Sequence, residues 1–90
     1  MQYEWDDEKS KSNRVKHGIA FESMEDFDWS FARLDEIEHV EGEEREAHVG
    51  PIGMTLYRGI LTERGDRLRI ISIRRAENAE IVRWREDYHG

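Results

Sequence analysis

The chain has no cysteine. That excludes a disulfide framework and any thiolate zinc site. A small domain without such staples holds together by packing, or with the help of a partner. There is one proline in 90 residues, and no low-complexity stretch, internal repeat or linker stands out. No apolar run approaches the ~20 residues needed to cross a bilayer. The N-terminal Met1-Gln2-Tyr3-Glu4-Trp5-Asp6-Asp7-Glu8 is acidic and lacks the apolar core of a signal peptide. These absences predict a cytoplasmic protein with no membrane partner. Positive charge is also scarce: 14 Lys and Arg stand against 21 Asp and Glu, a net charge of -7. A general nucleic-acid binder usually carries a basic footprint, and the whole-chain average does not supply one.

Hydrophobic residues make up 37% of the chain and charged residues 39%. A domain of this length buries only about 60–65% of the surface its unfolded chain exposes, so the core is thin. Residues 1–90 are expected to form one domain. The charge is unevenly spread. Residues 1–48 hold 15 acids and 6 bases, whereas residues 49–90 hold 6 acids and 8 bases, all of them arginine. Six of those arginines fall between Arg58 and Arg75, with only Glu63 and Asp66 beside them. Arginine is the planar, bidentate partner for phosphate or carboxylate. The late half therefore reads either as a phosphate-binding face or as a solvated face paired with the acidic half.

Hydrophobic periodicity orders the elements. Tyr3 to Trp5 suggests a short strand. Asp6 or Asp7 can cap a helix that runs to His17 and stops at Gly18. That helix is polar, and its contribution to the core rests mainly on Val15. Phe21 to Phe27 reads as a second short helix, with Phe21, Met24, Phe27 and Phe31 as a core stripe. Trp29 to Ile37 reads as extended, and acidic Glu38 to Glu46 as a loop. A period of two begins near Arg45, with a turn or bulge at Pro51 and Gly53. Met54 to Thr62 is a strand that Gly59 interrupts as a possible bulge. Arg64-Gly65-Asp66 is a hairpin turn, and Arg67 to Arg74 is the strongest strand. Leu68, Ile70, Ser72 and Arg74 are expected on one face and Arg69, Ile71 and Ile73 on the other, so it is expected to be central. Glu77 to Tyr88 closes the chain as a helix with Ile81, Trp84 and Tyr88 in one stripe. The predicted fold is α+β: an antiparallel meander sheet packed by two N-terminal helices and one C-terminal helix.

Trp5-Asp6, Lys9, Asn13 and Lys16-His17-Gly18 form an ordered set with Phe21 and Phe27. Glu44-Arg45, Gly50, Thr62-Glu63-Arg64, Arg69 to Ala76 and Glu80 continue it. Together they resemble the BrnT family of bacterial toxins over nearly the whole chain. Ile73 departs from the alanine usual there, and Trp84 from a common tyrosine. The resemblance implies a RelE-like fold and an mRNA-cleaving toxin of a type II toxin–antitoxin pair. It also implies a BrnA-like antitoxin that binds the toxin in a hetero-oligomer, and DNA reached only indirectly, through that antitoxin.

Cleaving RNA without a metal needs a base for the 2′-OH, a cation for the phosphorane and an acid for the 5′ oxygen. His17, His39, His48 and His89 lack metal-ligand spacing, so no metal and no cofactor are expected. Arg74 serves either as the phosphate-binding cation or in a strand-end salt bridge to Glu80. Arg64 is a second candidate cation, or a solvated turn residue. His17 can transfer a proton near neutrality, or act only as a cation at its helix end. Glu80 is a candidate base if the arginines leave it free. Lys16, Arg69 and Arg75 are candidate RNA contacts. Trp84 and Tyr88 can stack a base but fit the core stripe better. Three functions are open from the sequence: a ribonuclease toxin, a non-catalytic module that only binds an antitoxin-like partner, and, as the weakest, a small α+β protein of unrelated role.

Overall fold

The computed structural model describes residues 2–89, with side chains through residue 87. Five strands form one sheet: β1 (Tyr3–Glu4), β2 (Arg33–Val40), β3 (Glu43–Ile52), β4 (Thr55–Arg64) and β5 (Arg67–Arg75). Their order is β1-β5-β4-β3-β2. β2 to β5 are an antiparallel meander, but β1 joins β5 in parallel. The sheet is therefore mixed, which corrects the all-antiparallel expectation. Two α-helices accompany it, α1 (Asp7–His17) and α2 (Asn78–His89), with 3₁₀ helices at Phe21–Asp26 and Trp29–Phe31.

The second expected helix is thus a 3₁₀ helix, and its sequence explains why. Phe21, Met24 and Phe27 recur every third residue, the spacing that a 3₁₀ helix eclipses on one side. All three are buried against Leu61, Ile70 and Ile73. Phe31 does not continue the stripe and is half exposed. The aromatic ring of Phe27 lies over Gly50, where a Cβ would come within 2.7 Å of it. Gly59 is regularly paired with Ile73 and His48 and is no bulge. It makes room for Met24, whose sulfur would sit 3.3 Å from an added Cβ.

The bulge in this ladder lies one step on. Ile60 pairs with Ser72 and Leu61 with Ile70, so Ile71 has no partner across the strand. This shifts the side-chain alternation. Leu68, Ile70 and Ile73 share the face that packs on the 3₁₀ helix. Arg69, Ser72 and Arg74 share the other. The two expected faces of β5 are corrected accordingly. β5 is also less central than its hydrophobicity suggests, because β1 covers it only at Leu68 and Arg69.

Residues Glu38 to Glu46 are not a loop. β2 and β3 pair from Arg33 with Val49 to Val40 with Glu43. Glu41 and Gly42 join them, both at positive φ (51° and 79°), as a primed hairpin turn requires. β2 is an edge strand whose side chains are mostly exposed, so no hydrophobic alternation marks it.

α1 is anchored by polar groups. Asp6 caps it, accepting from the N–H of Glu8 and Lys9, and Gly18 closes it in the left-handed conformation. Val15 points to solvent, and the buried positions are Ser10 and Asn13. The Asn13 amide nitrogen donates to the carbonyls of Ile19 and Ile73, each at 2.8 Å. Its carbonyl oxygen accepts from the N–H of Ile73 at 3.4 Å. One carboxamide thus pairs with β5 beyond the end of β1, as a strand would. Ser10 Oγ accepts from the N–H of Phe21 and donates to Glu22. Replacing Asn13 with Ala leaves buried backbone groups unpaired and should cost about 2 kcal/mol or more. Val15→Ala should change stability by less than about 0.5 kcal/mol. Urea unfolding of the two variants checks this contrast.

Candidate functional site

The arginines expected to bind RNA are distributed over both ends of the sheet. Arg64 lies at the β4–β5 hairpin and pairs with Glu43 at 3.0 Å. Arg69 pairs with Glu4 on β1 at 2.9 Å. Arg75 is exposed at the end of β5. Arg74 forms a bidentate pair with Glu80 at 2.9 and 2.7 Å. The strand-end salt bridge considered from sequence is therefore present.

Glu80 is fully engaged. Its oxygens also accept from the N–H of Glu77 at 2.8 Å and contact Arg58 at 3.3 Å. The Glu77 contact is the reciprocal half of a capping box at the start of α2. The hydrogen bonds from Arg74, the Glu77 N–H and the nearby Arg58 hold the Glu80 carboxyl below its usual range. A carboxylate so held is a poor proton acceptor. Its geometry is that of an anchor that fixes Arg74 and α2.

A wider ion network extends from it. Asp35, with its side chain 3% exposed, contacts Arg33 at 3.0 Å, Arg58 at 3.4 Å and Arg83 at 2.9 Å. Hydrogen bonds from Arg83, followed by Arg58, lower its pKa. Arg58 also reaches Glu36 at 2.6 Å. Arg33 pairs with Asp87, and the Trp84 indole N–H donates to the Phe31 carbonyl at 2.7 Å. Trp84 is thus a tether between α2 and the chain before β2. Tyr88, expected beside it, lies outside the described side chains. Sequence reasoning missed Arg58 and Asp35. The available signal was the acidic pair Asp35-Glu36 interrupting an otherwise extended segment.

Lys16 and His17 occupy a different setting. They line a concavity of about 200 Å³ between α1 and the free edge of β5, with Lys9, Ser12, Ile71 and Ser72. Lys9, Ser12 and Lys16 fall at spacings of three and four and share one side of α1. Asn13 lines the same space and is the group that ties α1 to Ile73. The bulge brings Ile71 to this edge. Among the described residues no carboxylate lines it, whereas two larger concavities are lined by Glu43, Glu44, Glu46 and Glu63, or by Asp7 and Glu22. Ser72 and Arg74 lie two residues apart on one strand face, about 7 Å along it. Arg64 is not brought here: it lies four residues beyond the partner of Ser72, about 13 Å along β4. Ser12 and Ser72 were missed from sequence, and only their proximity to Lys16 in space marks them. Among the described residues, no three His, Asp or Glu side chains are grouped as a metal site. Among the described residues, no helix is long and apolar enough to cross a membrane.

Residues 5–80 match the family model described as "Ribonuclease toxin, BrnT, of type II toxin-antitoxin system". No curated protein matches the chain.

The carboxylates of Glu80 and Asp35 have lowered pKa values in the folded state. Their contribution to stability is complete above the ordinary carboxylate pKa of about 4. It is lost as pH falls through the lowered folded values. Thermal melts from neutral pH to about pH 2 should show a falling melting temperature below about pH 4. Glu80→Gln should melt lower than wild type at neutral pH and lose part of that acid dependence.

Proposed function

Because the chain belongs to the BrnT family of type II toxin–antitoxin ribonuclease toxins, we propose that it is an endoribonuclease that cleaves mRNA without a metal. The proposal includes a RelE-like toxin domain over residues 1–90, a cytoplasmic setting and neutralisation by a BrnA-like antitoxin. The observation that carries the site assignment is the concavity lined by Lys9, Lys16 and His17 and free of carboxylates. An RNA phosphodiester meets no like charge from its lining, although the body of the protein is acidic.

The reaction is attack of the 2′-OH on the adjacent phosphorus with departure of the 5′ oxygen. His17 transfers the proton, as base for the 2′-OH or acid for the leaving oxygen. Lys16 and Lys9 bind the phosphate and offset the charge that builds on its oxygens. Arg74 adds a guanidinium on the same strand as Ser72, held in one orientation by Glu80. Glu80 is accordingly a positioning residue rather than the base. Arg75 guides the flanking RNA. Arg64 and Arg69 contribute to the approach of RNA only through the general field of the protein.

A second reading is favoured by the Arg74–Glu80 pair itself. If the Glu80 carboxylate neutralises the Arg74 guanidinium instead of aiming it at phosphate, the fold serves as a partner-binding module without catalysis. A cleavage assay on single-stranded RNA in the presence of a chelator decides between the two. Wild type is expected to cleave. Lys16→Ala and His17→Ala should each reduce the rate about 100-fold or more, and Arg64→Ala should stay close to wild type. No cleavage by the wild-type protein, or full activity in both α1 variants, contradicts the ribonuclease assignment at this site.

A further inference from the structure

The face of the sheet that packs on the 3₁₀ helix is covered at one end only. At the other end, toward the β2–β3 and β4–β5 turns, it carries a concavity of about 720 Å³. Its floor includes Trp29, Leu61 and Leu68. On β2, Leu34 and Ile37 are 44% and 48% exposed. They pair with His48 and Glu46 of β3, so they share this face with the concavity. An apolar floor that continues onto an exposed edge strand is the anatomy of a contact surface.

The rim is acidic. Glu44 and Glu46 of β3 and Glu63 of β4 line it. Arg64, the cation of the lining, is engaged by Glu43 at 3.0 Å, and His48 lies 3.0 Å from Glu46. This charge decides the occupant. A second copy of the chain would bring the same acids against these, and RNA would bring phosphates. Both are repelled. A cationic segment with an apolar side satisfies floor and rim together.

We propose that this surface docks a Lys/Arg-rich amphipathic segment of the antitoxin. The inference rests on the reading of the chain as a toxin and adds where the partner is held. The surface opens on the face of β4 and β5 that carries Leu61 and Leu68, and Ser72 lies on the opposite face. This segment therefore acts as an anchor and leaves the concavity beside Lys16 and His17 open. Blocking the RNA site falls to another part of the same partner.

The probe is a synthetic Leu/Lys peptide of about five helical turns, with Leu on one side. It is titrated into the full chain and followed by heteronuclear NMR. Amides of Ile37, Glu44, Glu46, Leu61 and Glu63 should shift, and affinity should fall about tenfold or more between about 50 and 300 mM salt. A matching Leu/Glu peptide should not bind. Glu44→Lys with Glu63→Lys should weaken binding at least tenfold. Glu8→Lys with Glu86→Lys changes the net charge equally at exposed positions elsewhere, and should weaken it less than threefold.

Equal losses in the two double variants would reduce the effect to bulk charge and overturn the proposal. So would shifts confined to another surface, self-association through Ile37, or the same shifts on adding an RNA oligonucleotide. Cleavage of single-stranded RNA is measured separately on the same samples. The Glu44→Lys/Glu63→Lys variant should cleave like wild type, with or without the peptide. A wild type that fails to cleave while the peptide map holds removes the toxin reading and leaves the docking surface standing.

Discussion

The carboxamide of Asn13 connects the parts of this protein that packing alone leaves loose. α1 has no buried apolar residue: only Ser10 and Asn13 are buried on it. The Asn13 side chain donates to two carbonyls and accepts from one N–H, and both groups of Ile73 are among its partners. This is how an edge strand is closed where no further strand pairs with it. The same contact sets the position of Lys16 and His17 one turn later, beside Ser72. Fold and site therefore share one polar joint. A polar joint is directional, whereas a greasy contact would tolerate rotation of the helix.

Charge is sorted on this small body more sharply than its average implies. On one face, Arg58 and Arg74 meet Asp35 and Glu80, and the network holds α2 across the sheet. On the other, the acids of β3 and β4 rim an open apolar floor. Between α1 and the β5 edge, a small concavity collects cations without acids. An acidic protein can handle RNA if repulsion over the body is offset by one confined cationic site. The net charge of -7 then limits general affinity for nucleic acid and favours a basic partner.

Much of this was legible from sequence, and the exceptions have physical causes. The order of elements followed from period and punctuation: the Asp6 cap, the Gly18 stop, the Gly65 turn and the stripe of Phe21, Met24 and Phe27. The extended reading up to Ile37 covers the first part of β2, but its end and the start of β3 were hidden, because an exposed edge strand has no apolar phase to read. The face assignments on β5 failed because a bulge at Ile71 shifts the alternation, and a bulge leaves no mark in hydrophobicity. Val15 was preferred to Asn13 as the core residue of α1 because burial scales favour apolar side chains, yet the site needed hydrogen bonds. At the candidate site, Lys16 and His17 were found through the Lys-His-Gly motif. Ser12 and Ser72 come together only in the folded chain. The family match over residues 5–80 agrees with the resemblance drawn from the same ordered motifs.

The central claim is that α1, fixed to β5 by Asn13, presents Lys9, Lys16 and His17 to a phosphodiester. It is tested most directly by mapping where RNA binds. A short single-stranded RNA whose 2′-hydroxyl is removed at every position cannot be cleaved by this chemistry, and its contacts can be followed by amide NMR shifts. The account predicts shifts concentrated at Lys9, Ser12, Lys16, His17 and Ser72, and their loss in the Lys9→Ala/Lys16→Ala variant. Shifts centred instead on Arg64 and the β4–β5 hairpin, or an unchanged map in that variant, would contradict it.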